Sequence, residues 1–267
     1  MKKLVIISGI TGAIGSAILA VLGSKKNTII YGISRQAINY GNFVNLKTGR
    51  FYLATFICSL PRMDEKSYRN FINSVDFREF SEVVYIHTLG VYPFEINEKG
   101  EHVIENDSDG DGIDDRCTLL SYDIFKWVTS EIIKRTSIPV ECVTFGGLAD
   151  RHQPEIIGSW WRTMEKVETY MRKVADNRIS MYKFNISSVV CPHELITRPF
   201  VFANTEAEHQ SWLSPNQLAK MIFRELRKGG GYYESDVYNY WKGFSPDYYS
   251  NEKMTKRRLA EIHRRED

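Results

Sequence analysis

Residues 8–15, Ser-Gly-Ile-Thr-Gly-Ala-Ile-Gly, stand between a β-branched apolar run at 4–7 and an amphipathic stretch at 13–22. A strand that turns through glycines straight into a helix aims backbone amides out of the helix N-terminus, where the macrodipole favours a phosphate. Gly9, Gly12 and Gly15 are three apart. Glycine at such positions permits the tight turn, the close approach of backbone to a pyrophosphate and the close packing of helix on strand. The turn residues expected to hold a dinucleotide are Gly9, Thr11, Gly12, Ile14 and Gly15.

The rest of the chain continues the strand–helix alternation. Runs at 28–33, 51–56, 83–87, 140–145 and 180–187 read as further strands, and 66–75, 119–135, 159–175 and 215–227 carry apolar residues at helical spacing. Alternation of this kind builds βαβ units around a parallel sheet. The expected fold is therefore α/β, a Rossmann-type doubly wound parallel sheet of six or seven strands in a three-layer αβα single domain. No internal repeat and no Pro/Gly/Ser linker breaks it, so residues 1–228 are read as one NAD(P)-binding domain with an acidic insertion at 95–115. Residues 229–267 are read as an aromatic and basic C-terminal extension.

Composition excludes other classes. With 35 Lys and Arg against 33 Asp and Glu, the net charge of +2 provides no general attraction to nucleic acid or to an acidic membrane. No segment has the roughly 18 apolar residues of a membrane span, and the opening Lys-Lys followed by an apolar run, which imitates a secretory signal, is better explained by its glycines. Four cysteines far apart suggest neither a zinc site nor a disulfide framework, so a reduced, cytoplasmic protein is expected.

After the second strand, where an acidic residue would accept from an adenosine ribose hydroxyl, the chain has Ser34 and Arg35. A hydroxyl and a guanidinium suit a 2′-phosphate, which favours NADP(H) over NAD(H).

Several further segments, in order and spacing, resemble the short-chain dehydrogenase/reductase family from residue 3 to about 226. The turn at 9–15 is similar to that of the family's extended members. His87-Thr88-Leu89-Gly90 stands where the family has Asn-Asn-Ala-Gly, Pro192-His193-Glu194-Leu195-Ile196-Thr197 resembles its Pro-Gly-x-x-x-Thr segment, and Ser214-Pro215-Asn216-Gln217 looks like the start of its late helix. The resemblance implies cofactor contacts from Thr88, Gly90, Pro192 and Thr197, and from Lys166 to the cofactor ribose. It also implies a homodimer or homotetramer through the helices at 119–135 and 159–175, with Trp127, Trp160 and Trp161 either anchoring it or lining a substrate pocket.

The family's catalytic residues are only partly present. Lys166 occupies the Lys position, but Arg162 stands where the proton-donating Tyr belongs, the Ser position falls on Gly147, and the helix Asn position falls near Ser121. Arginine cannot donate a proton near neutral pH, though it can hold an oxyanion, a carboxylate or a phosphate. Helical spacing puts Ser159, Arg162, Lys166 and Tyr170 on one face. Tyr170 is its only phenol and the candidate donor on that face, its other reading being core or dimer packing; Asp150 and His152, after the fifth strand, are alternative donors.

Asp107-Ser108-Asp109-Gly110-Asp111-Gly112-Ile113-Asp114-Asp115 matches D-x-D-x-D-G-x-x-D, in which alternate carboxylates wrap a hard cation. Asp107, Asp109, Asp111 and Asp115 are the expected calcium ligands, with Thr118 where an EF-hand has its bidentate Glu; the other reading is an acidic, solvated turn. A bound ion there is expected to order a lid over the carboxyl edge of the sheet.

The expected function is an NADP(H)-dependent oxidoreductase with a rearranged active site, acting on a carbonyl or alcohol of a small molecule. The alternatives are a catalytically inactive dinucleotide-binding sensor or scaffold and, third, an enzyme acting on a nucleotide-linked sugar.

Overall fold

A computed structural model of the chain describes residues 2–22, 27–35, 42–44, 51–53, 56–60, 62–91, 93, 95, 101–187, 189, 213–226, 229–238 and 253. Its centre is a seven-stranded sheet in which every pairing is parallel. In chain order the sheet strands are β1 (Lys2–Ser8), β2 (Thr28–Ser34), β5 (Phe56–Ser59), β6 (Phe80–His87), β7 (Val140–Gly147), β8 (Ile179–Ile186) and β9 (Gly231–Val237). Their spatial order is β5-β2-β1-β6-β7-β8-β9, so the winding reverses between β1 and β6. In such sheets ligands bind outside the carboxyl ends of the strands at that reversal.

Helices cover both faces, which is why the strands read as near-continuous apolar runs. Leu4, Ile6, Val83, Tyr85, Cys142 and Met181 point to one face, where they meet α2 (Glu65–Asn73), α4 (Ile124–Arg135) and α5 (Gly158–Val174). Val5, Ile7, Val84, Ile86, Val143 and Phe184 point to the other, against α1 (Ala13–Leu22) and α6 (Pro215–Glu225). The expected three-layer, doubly wound architecture is the one observed.

Three local readings change. The run at 51–56 is two elements: β4 (Phe51–Leu53) pairs antiparallel with β3 (Asn42–Val44) in a separate ribbon, and the main-sheet strand begins at Phe56. An aromatic, β-branched run has the same local preference in either sheet, so the partner is decided tertiarily. Gly231–Val237, set aside in sequence as part of an extension from 229, is the edge strand paired to β8, so the sheet extends past residue 228. The helix expected at 119–135 begins earlier, as α3 (Asp115–Thr118), and passes through a π-turn at Leu119–Asp123 before α4.

Among the described residues Cys58, Cys117 and Cys142 are free thiols, and no helix is long and apolar enough to cross a membrane.

Candidate functional site

At the β1/β6 reversal the glycine turn forms one wall of a cleft of about 210 Å³. Gly9 has φ 77°, a left-handed conformation that glycine adopts without strain. A Cβ on Gly15 would stand 2.3 Å from the Gly9 carbonyl oxygen, so helix α1 can start this close to the turn only without a side chain there. Gly9, Thr11, Gly12, Ser34, Arg35, Thr88 and Gly90, all expected from sequence, line the cleft. Gly15 shapes the turn from behind, and Ile14 packs toward the α1/α6 core. Thr88 Oγ1 donates to the Ser8 carbonyl at 2.7 Å, and the hydroxyls of Thr11 and Ser34 lie 3.2 Å apart. Pro192 and Thr197 lie outside the described residues.

The opposite wall was not legible in sequence. Met63, Tyr68, Arg116 and Leu120 come from two separate segments, 63–68 and 116–120, and join the lining only through the fold. Arg116 adds a second arginine to the lining that holds Arg35, and the described lining contains no carboxylate. Its potential suits an anion.

Beneath the cleft runs a buried chain of hydrogen bonds. Leu120 O lies 2.8 Å from His87 Nε2, His87 Nδ1 lies 2.8 Å from Tyr85 Oη, and Tyr85 Oη lies 3.0 Å from Ser8 Oγ. Burial pushes His87 down to about 4, so the ring is neutral. A carbonyl can only accept, so Nε2–H donates to Leu120, Nδ1 accepts from Tyr85, and Ser8 donates to Tyr85. Leu120 sits in the π-turn. His87 therefore pins the π-turn to the end of β6 and to the start of the glycine turn.

The residues that the resemblance marks as catalytic have partners of their own. Lys166 Nζ lies 3.0 Å from Asp111 Oδ2 in the acidic loop. Arg162 Nη2 donates to Gly112 O at 2.7 Å and lies 3.8 Å from Glu95 Oε2. Tyr170 Oη lies 2.9 Å from Ser130 Oγ between α5 and α4, and burial pushes its phenol up to about 12. Ser121 is buried in the π-turn, its Oγ 3.5 Å from where a Cβ on Gly90 would stand.

Asp150 and Trp160 come together beside Gly147. A Cβ on Gly147 would stand 2.9 Å from Asp150 Oδ1, so the Asp150 carboxyl takes the room of a side chain at 147. Asp150 accepts from Gly147 N and from Trp160 Nε1, each at 2.8 Å. Burial pushes it up to about 6 against the lowering effect of these donors and of Lys183. His152 ends the same turn, half-buried. Glu95 is also buried and was not expected: it accepts from the Ser159 amide at 2.5 Å, capping α5, and from His102 Nε2 at 3.0 Å.

In the acidic loop, carboxylate oxygens of Asp107, Asp109 and Asp111 lie within 4.8 Å of one another. Three hard oxygen donors fit a divalent cation. Asp107 also accepts from the amides of Gly110 and Gly112, and Asp115 turns its oxygen to the Ser108 amide at 3.0 Å, apart from the other three.

No family model and no curated protein matches the sequence. Solved structures do match in fold. A 4-hydroxyisoleucine dehydrogenase complexed with NADH is similar at TM-score 0.64 and 13% identity, covering 88% of this chain and 97% of that one. Aldohexose dehydrogenase of Thermoplasma acidophilum matches at TM-score 0.61 and 11% identity over 88% and 92%. A Shigella flexneri protein solved as a short-chain dehydrogenase with NADP matches at TM-score 0.61 and 11% identity over 88% and 96%. With its sheet order and its glycine turn at the reversal, the chain has the fold of the short-chain dehydrogenases and reductases.

Proposed function

We propose that the chain is an NADP(H)-dependent oxidoreductase of short-chain dehydrogenase/reductase design that acts on a carbonyl or alcohol of a small molecule through a rearranged active site. The observation that carries this reading is the cleft at the β1/β6 reversal, where the glycine turn faces Ser34, Arg35 and Arg116. The turn amides would hold the pyrophosphate, and the two guanidiniums the 2′-phosphate. When bound, the cofactor supplies the hydride. The chain must then move the proton, and Asp150 is the described carboxyl nearest the Gly147 position with a proton affinity in the working range, about 6. Tyr170, held by Ser130 and pushed up to about 12, is the weaker donor. Arg162 and Ser121 are assigned to substrate oxygen, and Lys166 to the cofactor ribose.

A second reading, a dinucleotide-binding sensor or scaffold without turnover, is favoured by the pairing of Lys166 with Asp111 and of Tyr170 with Ser130. Titration with NADPH and separately NADH, following energy transfer from the tryptophans, tests the first reading. Selective NADPH binding, weakened about tenfold or more by Arg35→Ala with NADH little changed, supports it; binding of neither cofactor overturns it. A carbonyl and alcohol panel then separates enzyme from sensor. The acidic loop is proposed to take calcium, and the chain to work in the cytoplasm as a homodimer or homotetramer through α4 and α5, which light scattering checks.

A further inference from the structure

The acidic loop lies along the α5 face that sequence spacing marks for catalysis. Three contacts hold it there in antiparallel order. Ser159 Oγ accepts from the Asp114 amide at 2.7 Å, Arg162 Nη2 donates to the Gly112 carbonyl at 2.7 Å, and Lys166 Nζ pairs with Asp111 Oδ2 at 3.0 Å. Ser159, Arg162 and Lys166 stand at successive turns of one helix face, so this is a zipper rather than a chance surface pair. Its two ends differ in character. The Ser159–Asp114 contact is buried, whereas the side chains of Lys166 and Asp111 are 38% and 39% exposed.

We propose that residues 111–114 form an autoinhibitory latch that withholds Lys166 from the cofactor, and that the latch opens from its exposed Asp111 end when a dinucleotide occupies the cleft. The proposal rests on the dinucleotide reading above. Asp111 and the cofactor compete for one ammonium group, so a ligand that needs Lys166 must bind more tightly to the unlatched form. By reciprocity, the ligand must also loosen the loop. The chain carries the latch directly to the cleft, because Asp114 is two residues from Arg116 in the lining and caps α3 through the Cys117 amide. An exposed ion pair contributes little, so the Asp111 end can be displaced without disturbing the buried end or the fold.

The test measures NADPH binding, with EDTA present, to the wild-type chain, Asp111→Asn, Lys166→Ala and the double variant. Expected are a two- to fivefold tighter Kd for Asp111→Asn, the size of one exposed ion pair, a weaker Kd for Lys166→Ala, and no gain from Asp111→Asn once Lys166 is gone. Amide exchange on the wild-type chain supplies a second readout that requires no variant to fold: saturating NADPH should speed exchange at Asp111 and Gly112 and leave Asp114, whose amide is held by Ser159, unchanged. Wild-type binding with no Asp111→Asn gain, a gain that survives Lys166→Ala, or unchanged exchange at Asp111 and Gly112 overturns the latch while leaving the dinucleotide reading intact. Absence of NADPH binding in every variant overturns both.

Discussion

The indole Nε1–H of Trp160 donates to Asp150 at 2.8 Å, and the far edge of the same ring lies 3.2 Å from where a Cβ on Gly90 would stand. One side chain thus connects the turn after β7 to the cleft at the β1/β6 reversal. Trp160→Phe removes the donor and the part of the ring that reaches toward Gly90, leaving a buried carboxyl oxygen short of one partner. The expected cost is about 1–3 kcal/mol in denaturant unfolding. Asp150→Asn is expected to lower turnover of any accepted substrate by 10²–10⁴-fold while leaving NADPH affinity near wild type. Equal loss of both would assign Asp150 to the scaffold.

Stability should respond to pH through two groups of opposite sign. His87 is held neutral, with a folded value near 4 against 6.5 unfolded, so its contribution is present above pH 6.5 and is lost as pH falls toward 4. The difference is worth about 3 kcal/mol at most. Asp150 is raised from 3.8 to about 6, so its contribution is present below 3.8 and is lost as pH rises through 6. Between pH 4 and 6 the two oppose each other. Thermal melts of Asp150→Asn should therefore fall more steeply than wild type on acidification, and those of His87→Gln less steeply. Parallel curves for all three proteins would contradict both assignments.

Gly15→Ala should damage the cleft without touching a ligand. Its Cβ would meet the Gly9 oxygen at 2.3 Å, so the turn must open. The expected fall in Tm is about 3–10 °C, with NADPH affinity lost. Gly12→Ala, whose Cβ would stand 3.1 Å from the same oxygen, should cost less in Tm. A harmless Gly15→Ala would mean that the helix does not approach the turn this closely.

Calcium should raise the Tm if the three clustered carboxylates hold it. At a hundredfold excess over Kd the stabilisation is about 2.7 kcal/mol, readable as a shift of about 5–10 °C. Asp109→Asn should abolish most of that shift, since among the described residues Asp109 carries no ion pair whose loss would confuse the result. Identical melts in calcium and in EDTA would leave the loop as an acidic turn.

Local pattern in the amino-acid sequence determined the alternation of strands and helices, the glycine turn and the absence of an acidic residue after β2. Those features depend on neighbours within a few residues: period-2 and period-3.6 burial, glycine's access to φ 77°, and hydroxyl and guanidinium chemistry at 34 and 35. Tertiary structure alone decided which partners the functional side chains found. Arg116 and Met63 reach the cleft only because α3 and the segment after β5 converge on the reversal between β1 and β6. Lys166 meets Asp111 across 55 residues, and Asp150 fills the room at Gly147 because Trp160 folds over it. Such contacts join segments distant in the chain, whose meeting follows from the packing of helices on a particular strand order and not from any spacing in the sequence.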